Sequence, residues 1–364
     1  AGRDVAYGNA PPSVRGTEIR RVALDNGLTL VVQASPDSRT FAAHVLLRDR
    51  GAWEERTGVP AGTADVLHRM LERGTARLDR NELRGRLAEL GASLKVTDTD
   101  WIPYDDYYYT AEFSYVRLET IDLFGLPALE LLGEILRTPR FDDETLQGAV
   151  AAAATRAEKD AESPRFTAER LFYATLGENH PLARGVHGPA AALRSLSLDQ
   201  VRSHHAAYVS PANLILSVSS SLDPDEIERA VRVAFGGLWT PCEEPPRRAG
   251  FQPAALSGRA EVSQELGREQ SWVTVGAPLS VPTADEAALR LATAILSERL
   301  ADRLREREGL AYSIGAALRL DAPGASVRMV AGTRPENVAR MEAGMLEVAA
   351  GLSEEPPTAE QLEG

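Results

Sequence analysis

The order of predicted secondary-structure elements repeats once along the chain, and this repeat restricts the possible folds more than any other feature. In each half, a strand is followed by helical spacing of apolar residues, then by further strand pattern and a closing helix. A repeat of this kind predicts two copies of one α+β fold. The predicted strands are 41–47, 112–116, 213–218, 272–276, 311–318 and 325–331. The predicted helices are 64–71, 83–90, 123–136, 144–176 with a break near Pro164, 199–208, 224–236, 285–305 and 336–350.

A proline-rich stretch separates the two copies. Residues 240–250 combine a cluster of prolines with two arginines, a composition that favours neither helix nor sheet. We therefore predict a first domain over 17–238, a linker over 239–255 and a second domain over 256–364.

The second copy is shorter than the first. Asp142–Leu146 and Thr358–Leu362 both begin a helix after a break marked by proline, but 90 residues separate Leu146 from Gly236, whereas two residues follow Leu362. A sheet that lacks its last elements exposes an edge and an apolar face. We therefore expect the second domain to be incomplete in this sequence, either because the chain is cropped or because another chain completes it.

Composition and charge exclude several classes of protein. The formal net charge of −13 argues against nucleic-acid binding and fits a cationic peptide or a basic partner. Cys242 is the one cysteine, which excludes an intramolecular disulfide framework and a cysteine-based metal cluster. No stretch approaches the ~20 apolar residues that a membrane-spanning helix needs. The compartment stays open between cytoplasm and periplasm or secretion.

A series of short motifs follows in order from about residue 20 to the end of the chain. The motifs are Leu24–Leu30, Gly62–Thr75, Gly91–Leu94, Thr138–Asp142, Asn179–Leu182, Tyr208–Asn213, Arg305–Ser313 and Ala331–Asn337. In this order they resemble the pitrilysin/insulinase class of zinc peptidases, a clan that includes mitochondrial processing peptidase. The resemblance implies two homologous α+β domains, each with a mixed or antiparallel sheet and helices packed on one face.

The resemblance also shows what the zinc site has lost. The family's helix carries H-x-x-E-H, in which two histidines on one face bind zinc and the glutamate is the general base. The corresponding residues are Asp65, His68 and Arg69. Arg69 is a permanent cation without a lone pair, so it cannot bind zinc. The family's last ligand, a glutamate on a later helix, corresponds to Arg156. The resemblance therefore implies that this chain binds no zinc.

Two interpretations of the altered helix stay open. Asp65 and His68 lie three residues apart on one helix, a spacing compatible with a rebuilt metal site. Alternatively, Asp65 and Arg69 form an ion pair within a structural polar network, and an Asp65–Arg156 bridge fills the vacated metal position. The sequence favours the network. The other histidines show no metal-ligand spacing to one another; they are His44, His180, His187, His204 and His205.

The second half keeps a pair of residues to which the resemblance assigns a role. In this family an arginine and a tyrosine of the second domain hold the substrate carbonyl and the transition state, and Arg305 and Tyr312 have the family's spacing of seven residues. Gly309 ends the helix, so we expect Arg305 on its last turn and Tyr312 on the following strand. The alternative is that Arg305 stabilises a helix C-terminus and Tyr312 packs in the sheet.

Two segments depart from the family. Residues 296–300 have no glycine where the family often has a glycine-rich loop, which argues against the substrate handling of a non-catalytic processing-peptidase subunit. Residues 97–109 look longer than the family's strand, and they alternate aspartates with aromatic residues. We interpret this insertion as a solvated bulge on an edge strand, with recognition of basic peptide side chains as the alternative.

Together these features lead to one functional hypothesis and two alternatives. The hypothesis is a non-catalytic subunit, inactive alone, that supplies Arg305 and Tyr312 to peptide hydrolysis by a zinc-bearing H-x-x-E-H partner, in a heterodimer or, alternatively, a homodimer. The first alternative is a structural or peptide-binding protein without a catalytic role. The second is a hydrolase with a rebuilt metal site.

Overall fold

The computed structural model describes residues 18–99, 108, 110–177, 180–236, 258–321, 324–354 and 356–358. This part of the chain divides into two compact units. The first unit contains the described residues up to Thr155 and from Val186 to Gly236. The second contains the described residues of 156–185 and those from Gly258 onward. The domain bounds proposed from the sequence stay a prediction.

The first unit is built on a six-stranded sheet in the order β1-β2-β6-β3-β5-β4. Strands β2 and β6 pair in parallel, and the other neighbours pair antiparallel. The strands are β1 (Ile19–Ala23), β2 (Thr29–Ala34), β3 (Thr40–Arg48), β4 (Ser93–Lys95), β5 (Phe113–Ile121) and β6 (Leu214–Ser220).

Helices follow the strands along the chain through both units. Helix α5 crosses the division between the units, and α6 belongs to the second unit. The helices are α1 (Arg50–Arg56), α2 (Thr63–Leu71), α3 (Arg80–Glu89), α4 (Asp122–Arg137), α5 (Asp143–Ala161), α6 (Pro164–Leu176), α7 (Ala190–Arg194), α8 (Leu198–Tyr208) and α9 (Pro224–Phe235).

Buried and more exposed residues alternate along the strands, and the buried ones form the core of the first unit. In β3 every second residue is buried, from Phe41 to Leu47, and β5 shows the same period from Ser114 to Thr120. Side chains of period two cover one face of a sheet, and the amphipathic helices α4 and α9 pack against β3, β5 and β2. Burial of this apolar face is the main stabilising contribution to the unit.

Strands β1 and β2 form an antiparallel hairpin around the Asn26-Gly27 dipeptide. The two strands pair from Ile19–Gln33 to Ala23–Thr29, and the loop closes with a hydrogen bond from Leu24 N–H to Leu28 O of 2.9 Å. Gly27 adopts φ 89°, a left-handed conformation that favours glycine.

The second unit contains a three-stranded antiparallel sheet in the order β7-β9-β8. A core of apolar residues from α10 through α11 packs on one side of it, and it includes Leu300, Leu304, Met341 and Met345. The elements are β7 (Ser271–Leu279), α10 (Glu286–Leu300), a π-helical segment (Ala301–Arg307), β8 (Ser313–Asp321), β9 (Gly324–Thr333) and α11 (Val338–Glu354).

Two details of the second unit correct the sequence-based expectations. The predicted helix 285–305 continues to Arg307, and its last seven residues are π-helical. The side-chain period of a short π-helical stretch is too close to that of an α-helix for the sequence to distinguish them. Strand β8 begins at Ser313, so the expectation that Tyr312 lies on the strand is wrong by one residue.

Three predicted features lie wholly or mostly outside the described residues: the insertion at 97–109, the linker at 239–255 and the helix start at 358–362. Among the described residues, no helix has the length and apolar character that crossing a membrane requires.

Candidate functional site: the altered zinc-site helix and the Arg305/Tyr312 segment

A buried carboxylate organises the start of α2, the helix that corresponds to the family's zinc-binding helix. Glu54 is 3% exposed, and its Oε1 accepts hydrogen bonds from the N–H groups of Gly62 at 3.1 Å and Ala64 at 3.0 Å. An anion at this position satisfies donors that the first turn of a helix leaves unpaired. Burial raises the pKa of Glu54, and Arg50 and the two N–H groups oppose that shift.

Arg50 connects this carboxylate to distant segments of the first unit. Its Nη2 lies 3.4 Å from Glu54 Oε1, and its Nη1 donates to Thr110 O at 3.1 Å. Nη2 also donates to the carbonyl oxygen of Val186. The Arg50 side chain is 1% exposed, so the guanidinium is a structural element of the core.

Asp65, which the sequence resemblance aligns with the first histidine ligand, is completely buried. Its Oδ1 accepts a hydrogen bond from Arg69 Nε at 2.8 Å, which confirms the ion pair predicted within the helix. Arg156, at the position of the last ligand, pairs with Asp160 on its own helix at 3.1 Å. Because Arg156 belongs to the other unit, the Asp65–Arg156 bridge stays a prediction.

His68, which the sequence resemblance aligns with the catalytic base, uses both of its ring nitrogens in the fold. Nδ1 lies 2.8 Å from Val96 O, and Nε2 lies 2.8 Å from Ser114 Oγ. Since a carbonyl oxygen only accepts, Nδ1 carries the proton and Nε2 accepts from Ser114, whose Oγ lies 2.7 Å from the Tyr208 hydroxyl. Burial lowers the pKa of His68 to about 4, so the ring is neutral at pH 7.

Two further histidines on α8 are also packed into the first unit. His204 Nδ1 lies 2.9 Å from Thr57 Oγ1, and the ring stacks on Tyr208 with centroids 5.2 Å apart. His205 Nε2 lies 2.7 Å from Leu136 O. Burial lowers the pKa of His204 to about 3 and that of His205 to about 4. The sequence predicted that one of these two histidines is packed, but it did not identify Thr57 or Leu136 as partners, because those residues lie far from α8 in the chain.

Arg305 lies in the π-helical segment of the second unit, and Tyr312 lies just before β8. The Tyr312 side chain is 94% exposed, so the alternative that it packs in the sheet is wrong. The Arg305 side chain is 44% exposed, and its Nε bonds Glu306 Oε1 at 2.7 Å. Gly309, at φ 63°, reverses the chain between the two residues.

A network of ion pairs connects the end of the π-helical segment to α11. Arg303 lies 3.2 Å from Glu308, and Arg340 lies 2.7 Å from the same carboxylate. Glu347 on α11 accepts from both arginines. Several charges that share partners hold a geometry better than an isolated surface pair does. The alternation of arginine and glutamate over residues 305–308 was the available sequence signal, but it did not identify the partners on α11.

Comparison with known proteins identifies the relationship that the sequence motifs indicated. Residues 195–364 match the family described as Peptidase M16 inactive domain. An uncharacterized zinc protease of Streptomyces coelicolor is 27% identical over 339 residues, which cover 88% of this chain and 69% of that protein. The chain is related to the M16 peptidases.

Two solved structures share the fold. A protease from Helicobacter pylori superposes with a TM-score of 0.81 at 18% identity, covering 95% of this chain and 82% of that one. The M16 inactive domain from Pseudomonas fluorescens gives a TM-score of 0.78 at 19% identity, with the same coverage. The α+β architecture and the family resemblance predicted from the sequence are both confirmed.

The residues at the M16 zinc positions do not fit a zinc ion. A zinc ligand must offer a lone pair, but His68 donates through Nδ1 and accepts through Nε2. The Asp65 carboxylate is bound to Arg69, whose cation would repel the metal. Across the described residues, no group of three or more histidine, cysteine, aspartate and glutamate side chains has the arrangement of a metal site.

Proposed function

We propose that this chain is the non-catalytic subunit of a two-subunit M16-type peptidase. The partner carries an intact H-x-x-E-H helix, and this chain supplies Arg305 and Tyr312 to the peptide that is hydrolysed. The relatives named as zinc proteases support peptide hydrolysis as the reaction of the assembly. A homodimer is the alternative form of the assembly.

The observation that carries the proposal is the contrast in exposure between the two sets of residues. The polar atoms at the former zinc positions are almost all used by the fold, whereas Tyr312 is 94% exposed and Arg305 is 44% exposed. A guanidinium and a phenol are hydrogen-bond donors suited to a peptide carbonyl oxygen that gains negative charge during hydrolysis. Exposed donors on a segment held by ion pairs support a binding role better than a packing role.

The test uses the complex of this chain with an H-x-x-E-H relative from the same organism. We expect the complex to cleave a fluorogenic peptide and each chain alone to be inactive. Arg305→Ala is expected to lower kcat by about 100-fold and Tyr312→Phe by about 10-fold, as loss of a donor to a developing oxyanion does. Arg307→Ala is the matched control, because Arg307 lies on the same segment, is 72% exposed and pairs with Asp302.

The same assay separates the alternatives. Full activity of the Arg305→Ala complex would contradict the clamp and favour a structural or peptide-binding protein. Metal-dependent cleavage by this chain alone would favour a hydrolase with a rebuilt metal site.

A further inference from the structure

A cleft in the first unit, formed by residues other than Asp65, His68 and Arg69, is lined by arginines. It has a volume of about 540 Å³ and lies where the C-terminal end of α4, the following loop and α8 meet. Its lining includes Arg137, Arg140 and Arg202 together with one carboxylate, Asp142. A concentration of guanidinium groups is unexpected in a chain with a net charge of −13.

Arg202 is held in the cleft by the segment opposite it. Its Nη2 donates to Phe141 O at 2.8 Å, and its guanidinium carbon lies 5.8 Å from the centre of the Phe141 ring. The Phe141 ring in turn packs edge-on against His205, with centroids 5.2 Å apart. Asp199 lies 3.8 Å from Arg202 and is 93% exposed, so this ion pair neutralises only part of the charge.

Arg137 is also anchored by a neutral group. Its Nη1 donates to Ala234 O at 3.2 Å, and among the described residues it forms no ion pair. Guanidinium groups that are fixed through backbone carbonyls keep their full charge and several N–H donors.

The third arginine is neutralised by its own neighbour. Arg140 Nε lies 2.5 Å from Asp142 Oδ2, and this pairing, together with bonds from Thr145, lowers the pKa of Asp142 to about 2. Asp79 and Glu144 also contribute negative potential at Arg140. The cleft therefore holds three guanidinium groups: Arg140 is closely paired with Asp142, Arg202 lies 3.8 Å from the exposed Asp199, and Arg137 interacts with Glu134 through space without a direct ion pair among the described residues.

We infer that this cleft binds a small oxyanion, with Arg137 and Arg202 as its principal partners. Guanidinium groups recognise carboxylate and phosphate oxygens through paired N–H donors, which gives both strength and orientation. The inference is independent of the proposed peptidase role, since it concerns residues that the clamp does not use.

The experiment measures binding of pyrophosphate and, separately, citrate to the whole chain by isothermal titration calorimetry. Sodium chloride at matched ionic strength controls for general screening. We expect saturable binding of at least one of the two anions, weakened about 10-fold or more in Arg137→Gln and in Arg202→Gln. Arg86→Gln should bind like the wild type, because Arg86 is 49% exposed, pairs with Glu89 and lies outside the cleft.

Each outcome decides a part of the inference. Binding of pyrophosphate alone identifies a phosphate ligand, and binding of citrate alone identifies a carboxylate ligand. If a glutamine variant is poorly folded by circular dichroism, Arg202→Lys keeps the charge but not the paired donors and should still weaken binding. No binding of either anion, or equal binding by all variants, would overturn the inference.

Discussion

The zinc-site helix of the first unit and the Arg305 segment of the second have opposite relations to solvent. In the first region Glu54, Asp65 and His68 are buried, and their hydrogen bonds run to neighbouring backbone and side chains. In the second region Tyr312 is 94% exposed and Arg305 is 44% exposed. The Asp65 and His68 side chains are therefore part of the core, while Arg305 and Tyr312 are exposed to solvent.

The largest effect should come from breaking the buried ion pair of the first region. Arg50→Ala leaves the Glu54 carboxylate buried beside unpaired carbonyl oxygens, and we expect the free energy of unfolding to fall by about 3–5 kcal/mol. Urea denaturation followed by circular dichroism measures this change in the free energy of unfolding. A loss below about 1 kcal/mol would show that water or another group replaces Arg50, and that this region is less tightly packed than the contacts indicate.

Acidic pH should weaken the same region. Burial holds the pKa of His68 at about 4 and that of His204 at about 3, below the ordinary value of 6.5. Below pH 6.5 the unfolded chain takes up protons that the folded chain does not, so the stability present at pH 7 is lost as the pH falls. By pH 5 the loss is about 2 kcal/mol for each histidine.

Urea denaturation between pH 7 and pH 5 checks this slope. Burial raises the pKa of Glu54, so Glu54 makes the protein more stable as the pH falls, which is opposite to the effect of the histidines. The informative quantity is therefore the difference between the wild type and His68→Gln in how steeply the free energy of unfolding changes with pH. The variant should show a shallower slope. Parallel slopes would mean that His68 is not buried in its neutral form.

A smaller effect should follow from removing one hydroxyl of the chain that joins His68 to Tyr208. Ser114→Ala leaves His68 Nε2 without its donor and costs about 1–2 kcal/mol. Thermal unfolding of this variant beside Ser217→Ala provides the comparison, because Ser217 is exposed on the same sheet. Equal unfolding temperatures for the two variants would contradict a role for Ser114 in the buried network.

The smallest effect is expected in the second region. Arg305→Ala removes a guanidinium whose partner is the exposed carboxylate of Glu306, so the free energy of unfolding should change by less than about 0.5 kcal/mol. Differential scanning fluorimetry is sufficient to detect a larger change. A loss of more than about 1 kcal/mol would remove the contrast between the two regions, because Arg305 would then be structural as well.

Periodic elements were predictable from the sequence, and short or unusual ones were not. Apolar spacing located α4 and α8 to within a residue or two because long amphipathic faces leave a clear signal. Helix α1 was missed because its buried residues include Arg50 and Glu54, which a sequence pattern assigns to a surface. Asp49, the residue before the helix, has φ 54°, a left-handed conformation that is uncommon for residues other than glycine, so the start of the helix was also not predictable.

The candidate site was predictable where partners are close in sequence. Asp65 and Arg69 are one helical turn apart, so their ion pair followed from spacing alone. The partners of His68 are Val96 and Ser114, and only the packed sheet brings them to the helix. For the same reason the arginine cleft, assembled from α4, the loop after it and α8, left no signal in the sequence.

Zinc stoichiometry of the purified chain tests the central claim most directly. Equilibrium dialysis against Zn²⁺, followed by elemental analysis, should show no stoichiometric metal at pH 7, and Asp65→Ala should leave the result unchanged. One zinc ion per chain that disappears in Asp65→Ala or in His68→Gln would contradict the account, because it would place a working metal site on the helix described here as structural.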